Sequence, residues 1–247
     1  MNPRLGVIYD LDDNIAVFAN YGKSQKEPAD NQIIKADDVW SEPTIASAEV
    51  IDNYEMGFSF ISGAINSNLN IYRMNYDNEQ LKNIDIEQEG EYDYYSADGT
   101  IHQGVEFDVS FRFNPKLNVS LNGAINHNSF ESGDSKGKFL PNTPLTLGNS
   151  VFSYQYSKGI QIFINLRYVG KQFVDDNNTP AGVIDPFTLI NLGSLLKFGN
   201  VVLNLKINNL FDIMYSTFGY GYEEDGYYAY FWPGATRNFY ASLAYQF

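Results

Sequence analysis

Gln103-Gly104-Val105-Glu106-Phe107-Asp108-Val109-Ser110-Phe111-Arg112-Phe113 alternates without a break. Val105, Phe107, Val109, Phe111 and Phe113 take one face, and Glu106, Asp108, Ser110 and Arg112 take the other. That period of two belongs to an extended strand with one apolar and one polar surface. The next stretch repeats it: Leu117, Val119, Leu121 and Ile125 oppose Asn118, Ser120, Asn122 and Asn126. Outward from there, Ile65, Leu69 and Ile71 alternate with Asn66, Asn68 and Asn70. Ile160, Ile162, Ile164 and Leu166 alternate with Gln161, Asn165 and Arg167, although Phe163 intrudes on the polar side. Helical periodicity is almost absent.

The segments run to about 10 residues, near the length a tilted strand needs to cross a bilayer. Eleven are expected, near 3–9, 14–21, 52–61, 64–75, 100–113, 117–127, 144–156, 160–170, 186–198, 200–210 and 236–247. Their connections alternate in length. Short turns fall at Asp10–Asp13, Ser62–Gly63, Asn114–Lys116, Ser157–Gly159 and Gly199–Asn200. Long loops lie between them, near 22–51, 76–99, 128–143, 171–185 and 211–235. Compact soluble domains rarely hold structureless loops longer than about 15 residues. An outer-membrane barrel holds them routinely, with short periplasmic turns and long extracellular loops.

Composition agrees. Thirty Asp and Glu against 16 Lys and Arg give a net charge of −14, which excludes the basic face a nucleic acid needs. No Cys is present, so thiolate metal sites, disulfides and Cys nucleophiles are absent, and two His leave little scope for zinc or imidazole catalysis. Tyr (19), Phe (18) and Asn (27) are heavily used. The longest apolar run is six residues, Tyr227 to Trp232, against the roughly 20 of a spanning helix. No apolar stretch follows Met1. That leaves two alternatives: a chain retained in the cytoplasm, or a natural beginning upstream of Met1.

Three stretches resemble the TonB-dependent outer-membrane receptor family. Pro3-Arg4-Leu5-Gly6-Val7-Ile8-Tyr9, with Asp13-Asn14-Ile15-Ala16-Val17-Phe18-Ala19-Asn20-Tyr21-Gly22, is similar to its mid-barrel hairpin. Asn208-Asn209-Leu210-Phe211-Asp212-Ile213-Met214-Tyr215 resembles the family's Asn-Leu-Phe-Asp-x-x-Tyr near the end of the penultimate strand. Pro233-Gly234-Ala235-Thr236-Arg237-Asn238-Phe239 resembles the lead-in to its final strand. Weaker likeness lies at Gly104-Val105-Glu106-Phe107-Asp108 and Tyr168-Val169-Gly170-Lys171-Gln172. The resemblance implies an all-β, antiparallel, up-and-down transmembrane barrel portion of about eleven long strands, half of a 22-stranded barrel. Residues 1–247 are then expected to be its C-terminal part, without the plug domain or the TonB box. Eleven strands also leave open edges, and unpaired backbone in lipid costs several kcal/mol per group.

As function, the resemblance implies an outer-membrane receptor of Gram-negative cells for TonB-dependent uptake of a scarce solute, of the iron-complex or siderophore type. It implies a transporter rather than an enzyme, with no catalytic residue, cofactor or resident metal expected. The implied partners are outer-membrane lipid and lipopolysaccharide, the barrel-assembly machinery and a small-molecule ligand such as a ferric siderophore. TonB itself is engaged only through the N-terminal region outside this stretch. Haem-uptake receptors of the family carry a His-bearing loop with Asn-Pro-Asn-Leu, and no such stretch occurs here. Two alternatives remain: a plug-less porin-type barrel, and a soluble β-sandwich carbohydrate-binding module.

Individual residues invite functional and structural readings. Tyr92, Tyr94 and Tyr95, with Tyr220, Tyr222, Tyr227, Tyr228 and Tyr230, concentrate in two extracellular loops. They read either as a stacking surface for a ligand or as an interfacial aromatic girdle. Phe231 and Trp232, beside the last strand, read as girdle. Asn209, Leu210, Phe211, Asp212 and Tyr215 form the family motif, with Asn209 and Asp212 expected to cap a strand end rather than catalyse. Phe239, Leu243, Tyr245 and Phe247, together with Ala241, resemble the C-terminal signal read by the assembly machinery. The acids of 76–99 (Asp77, Glu79, Asp85, Glu87, Glu89, Glu91, Asp93 and Asp98) read as a solvated acidic loop, since the spacing of a Ca²⁺ loop is missing. His102 and His127 read as structural.

Overall fold

The computed structural model describes residues 2–28, 47–84 and 92–246. Fifteen strands follow in chain order: β1 Arg4–Asp10, β2 Ile15–Lys26, β3 Glu49–Ser62, β4 Ile65–Ile84, β5 Tyr92–Asn114, β6 Leu117–Phe130, β7 Thr146–Ser157, β8 Ile160–Val169, β9 Gln172–Phe173, β10 Val183–Ile184, β11 Phe187–Phe198, β12 Val201–Asn208, β13 Ser216–Glu223, β14 Tyr227–Pro233 and β15 Asn238–Tyr245. Eleven of them make one sheet in the order β1-β2-β3-β4-β5-β6-β7-β8-β11-β12-β15. Every neighbouring pair is antiparallel, and each of the eleven overlaps a strand expected from the alternation. The sheet is open, with β1 and β15 at its edges. A β-sandwich would need two packed sheets in Greek-key order, so the consecutive order removes that alternative.

Register carries the alternation across the sheet, because directly paired residues share a face. Ile65, Phe111, Val119, Phe152, Ile164, Leu192, Ile207 and Phe239 form one unbroken apolar row over eight strands. Ser59, Asn68, Asp108, Asn122, Asn149 and Arg167 form a polar row on the other face. Slippage by one residue would exchange the faces wholesale. The apolar face has no protein cover: Phe107 and Ile164 are each 43% exposed. Phe163, the apolar intruder on the polar face, pairs with Gly193 and lays its ring over that glycine, where a Cβ would collide with it.

The buried apolar residues lie elsewhere. Ala97, Ile101, Phe130, Leu140, Val169, Val174 and Ile184 all sit at the sheet end that carries the long connections. At the opposite end the turns are tight. Asp12 Oδ1 accepts from the backbone N–H of Asn14 (2.7 Å) and Ile15 (2.9 Å), and Asn114 Oδ1 accepts from Lys116 (2.9 Å) and Leu117 (3.0 Å). Such side-chain turns close a hairpin without longer loops.

The long connections are less irregular than the sequence suggests. β4 and β5 run 20 and 23 residues, so most of 76–99 continues the sheet rather than forming a free loop. The 211–235 stretch holds the β13–β14 hairpin, and 171–185 holds the short β9–β10 pair. Strong cross-strand aromatic and backbone pairing extends these segments, and such pairing is invisible to a search for loop residues.

Candidate functional site

β4 and β5 are about twice as long as a tilted strand needs to cross a bilayer. Their far ends reach beyond the shorter strands of the sheet and meet the other long connections. Tyr95 Oη, on β5, donates to both carboxylate oxygens of Asp176 (2.9 and 2.8 Å). Burial pushes the Asp176 carboxyl up, the hydrogen bond from Tyr95 opposes that, and neighbouring Asp175 adds to the rise. Burial, then the charge of Asp176 and the hydrogen bond to it, push the Tyr95 phenol well above its ordinary range. Tyr227 Oη, on β14, donates to Asp175 Oδ2 at 2.6 Å, and Thr179 Oγ1 donates to Asp175 Oδ1 at 3.0 Å. Burial and the bond to Asp175 raise the Tyr227 phenol likewise.

Two asparagines join the connections through their amides. Asn178 accepts from the Phe139 N–H (2.7 Å) and donates to the Phe139 carbonyl (2.8 Å). Asn142 accepts from the Gly219 N–H (3.0 Å) and donates to the Gly219 carbonyl (2.9 Å). Both have φ of +55°, and every described non-glycine residue with positive φ is Asn or Asp. Those two types tolerate the left-handed region best, which helps to explain why the chain uses so much Asn.

The hairpin so held has two unlike faces. Gly219 and Gly221 lie against the 171–185 connection: a Cβ on Gly219 would come within 2.7 Å of Val174 Cγ1, and Gly221 N–H donates to the Val174 carbonyl at 3.2 Å. The other face is a slab of six rings. Cross-strand pairs place Phe218 on Trp232 (5.3 Å between ring centres), Tyr220 on Tyr230 (5.0 Å) and Tyr222 on Tyr228 (5.5 Å). Tyr220 also meets Trp232 at 5.5 Å, so the rings are continuous. Tyr230 and Trp232 remain 48% and 44% exposed. At the tip, Tyr228 Oη donates to Asp225 Oδ1 (2.7 Å). A hydrogen bond with Tyr230 and the nearby charge of Glu224 help to push the Tyr222 phenol up to about 12. The four tyrosine rings stack on one another across the hairpin, Trp232 meets Phe218 edge-on, and the carboxylate of Asp225 closes the tip.

A family model described as TonB dependent receptor-like, beta-barrel, matches residues 1–210. The chain belongs to that family. Its relatives include the ferric-pyoverdine 358 receptor of Pseudomonas putida, 28% identical over 59% of this chain and 17% of that protein. The ferrioxamine receptor of Yersinia enterocolitica is 27% identical over 62% of this chain and 22% of that protein. In three dimensions the chain is similar to the ferric yersiniabactin uptake receptor of Yersinia pestis, with a TM-score of 0.79 at 17% identity, covering 99% of this chain and 37% of that one. The matched region thus spans about a fifth of the length of these curated relatives.

Within this TonB-dependent receptor barrel, the structure sorts the residues singled out from the sequence. Tyr220, Tyr222, Tyr228 and Tyr230 come together in the slab. Trp232 joins them instead of standing apart, while Phe231 pairs with Gly219 on the opposite face. Tyr227 and Tyr95 are turned inward onto Asp175 and Asp176 and hold connections together. The side chains of Tyr92 and Tyr94, all of Phe247, and Asp85, Glu87, Glu89 and Glu91 lie outside the described residues. Glu79 is not a solvated loop acid: it lies on β4, accepts from Thr100 Oγ1, and stands 3.0 Å from His102 Nε2, whose ring packs on Tyr76. His127 meets Phe139 edge-on at 5.0 Å.

Asn209 is buried with φ of +50° and ends a relay of amides. Asn165 Nδ2 donates to Asn149 Oδ1 (2.6 Å), Asn191 Nδ2 donates to Asn165 Oδ1 (3.0 Å), and the Asn209 N–H donates to Asn191 Oδ1 (2.8 Å). Asn209 then accepts from the Ile213 N–H (3.0 Å), and Asp212 accepts from the Arg237 N–H (2.7 Å). Leu210 bonds through its N–H to the Ile190 carbonyl, Tyr215 packs on Phe187, and Phe211 is exposed. Phe239, Leu243 and Tyr245 lie exposed on β15. Sequence reading missed Asn142, Asn178, Asp175 and Asp176. The run Asp175-Asp176-Asn177-Asn178-Thr179-Pro180 carries a turn signal that could have flagged the last three.

Proposed function

We propose that the chain forms wall and extracellular connections of an outer-membrane receptor that takes up a scarce iron complex of the ferric-siderophore type in a Gram-negative cell. In this reading residues 1–247 are the C-terminal part of the barrel, and gating and the link to TonB belong to a plug and a TonB box outside them. The apolar face meets lipid and, near the long connections, lipopolysaccharide, and the polar face lines a wet lumen around the plug. The strand-end residues Phe239, Leu243, Tyr245 and Phe247 address the barrel-assembly machinery. The ring slab of β13–β14 contacts the iron complex. No bond is made or broken in the solute; the work is capture and admission.

The observation that carries this reading is the apolar row over eight strands, exposed on one face and backed by a polar face, beneath connections that present a ring slab. The names of the curated relatives supply the solute class. The test is binding of radio-iron-labelled siderophore complexes to outer-membrane vesicles from cells that make the chain. Retention above that of vesicles lacking it supports the proposal. A chain recovered in the soluble fraction, or vesicles with no retention of any ferric complex, would sink it.

A further inference from the structure

The amide relay at Asn209 has a direction. Its bonds all point the same way: Asn209 N–H to Asn191 Oδ1, Asn191 Nδ2 to Asn165 Oδ1, and Asn165 Nδ2 to Asn149 Oδ1. Hydrogen bonds in series polarise one another, so the amide at the far end is strengthened as a donor. That amide is Asn149. Its oxygen accepts from Asn165, and among the described residues no acceptor takes its Nδ2 hydrogens. Directly opposite Asn149, on the same face, stands Arg167. It is exposed and, among the described residues, has neither an ion pair nor a side-chain hydrogen bond. Its surroundings leave the charge unbalanced. The adjacent strands β7, β8, β11, β12 and β15 hold Arg167, Lys197 and Lys206 and not one Asp or Glu. Along the row, Leu189 flanks Arg167 on one side, and Asn149, Asn122 and then Asp108 follow on the other. Asp108 is three strands away, about 14 Å across the sheet and beyond a Debye length at physiological salt.

We propose that Asn149 and Arg167 form a carboxylate-binding site on the polar face of the sheet. This rests on the reading of that face as the wall of a wet lumen and adds a ligand to it. The donors decide the class. Guanidinium and amide start about 5 Å apart as a directly opposed pair, and together they offer N–H groups while the one amide oxygen is already engaged. Their ligand must therefore accept. The planar guanidinium fork matches the two oxygens of one carboxylate, and the Asn149 amide donates to a remaining lone pair. A single positive charge balances a single negative one, which favours a carboxylate over a phosphate dianion. Asn165 and Asn191 position the Asn149 amide by fixing its oxygen, which turns its hydrogens away from the relay and toward the ligand. The carboxylate is borne either by a side chain resident in the lumen or by a solute passing through it, and the experiment separates the two.

The test is arginine modification in outer-membrane vesicles from cells that make the chain, using a water-soluble dicarbonyl reagent and mass spectrometry. Arg112 is the matched control: it is exposed on the same face opposite Asn118, but no relay ends on that amide. With a resident carboxylate, Arg167 should react about fivefold more slowly than Arg112, the upper value for one exposed ion pair. Asn149→Leu should then bring the two rates within about twofold, and so should about 1 M salt, which needs no variant. With a solute-borne carboxylate, both arginines should react freely. In that case about 0.2 M acetate in place of chloride should slow Arg167 about threefold more than Arg112, with acetamide inert. Inorganic phosphate at equal ionic strength should slow it less, and the reverse order would overturn the carboxylate class. A slow Arg167 that neither Asn149→Leu nor salt releases is shielded by packing, which overturns the site. Free reaction at both positions with no preference from acetate overturns it too, while the lumen reading stands. If neither arginine reacts, the face is not wet and both fail.

Discussion

Replacing Asn142 by Ala should free the β13–β14 hairpin from the connection beneath it. The wild-type amide makes two bonds to the backbone of Gly219, at 2.9 and 3.0 Å, and Gly219 is buried. Removing both leaves a donor and an acceptor unpaired, at about 1–3 kcal/mol each if water cannot reach them. Half-burial around Asn142 admits some water, so about 2–4 kcal/mol of local opening energy is the expected loss. A further ~1 kcal/mol comes from placing Ala at a φ of +55°. Asn142→Gly would avoid that last cost but not the first, so Asn142→Ala should be the worse of the two. Asn142→Asp keeps an acceptor for the Gly219 N–H and should fall between the glycine variant and wild type. The readout is native-state hydrogen exchange at the Gly219 amide in the folded chain. Exchange should quicken by about 30-fold or more in the Ala variant, following about 1.4 kcal/mol per factor of ten. Exchange unchanged within a factor of about two would refute the claim that Asn142 holds the hairpin down.

Other outcomes follow from the same geometry. Ile164→Arg should cost about 2–4 kcal/mol in bilayer refolding if that position meets mid-membrane lipid, while Asn122→Arg, at an exposed position of the polar row, should cost little; equal costs would contradict the two-faced sheet. Gly193→Val should impair folding because its side chain would collide with the Phe163 ring, and Phe163→Ala should restore much of the loss; a neutral Gly193→Val would remove that explanation of the aromatic intruder. Because the Tyr222 phenol is raised to about 12, its contribution to hairpin order is intact below pH 10 and declines as pH climbs from there through about 12. The phenolate absorbance difference between wild type and Tyr222→Phe should isolate that late-titrating group, and the same difference taken in a Tyr230→Phe background should move back toward 10, whereas a wild-type difference titrating at the ordinary value would contradict the Tyr222–Tyr230 bond.

The sheet was legible because the period of two is imposed by a boundary that spans every strand. Val105, Phe107 and Val109 face one medium and Glu106, Asp108 and Ser110 another, so each short window repeats the same information. The connections obey no such boundary. β13 and β14 were hidden because Phe218, Tyr220 and Tyr222 alternate with Thr217, Gly219 and Gly221, and glycines that suggest a loop here permit close docking on Val174. The site residues divide for a similar reason. Composition shows that tyrosines gather near 220–230, but only register separates Tyr228 and Tyr230 on the slab from Tyr227, one residue earlier, on the docked face. Asn142 and Asn178 act over long sequence separations; a turn signal surrounds Asn178, but nothing local marks Asn142 among 27 asparagines.

The account stands on one claim, that the two faces of the sheet meet different media. Absence of native Cys makes single-Cys labelling clean. A spin label should be placed in turn at positions 160 to 167 of β8 in chain reconstituted in bilayers, and its relaxation measured with oxygen, which partitions into lipid, and with a water-soluble nickel complex. Labels at Ile162, Ile164 and Leu166 should respond to oxygen, and those at Gln161, Asn165 and Arg167 to nickel, in strict alternation. A flat profile, or one in which Ile162 and Ile164 are shielded from both reagents, would place that face in a protein core and contradict the account.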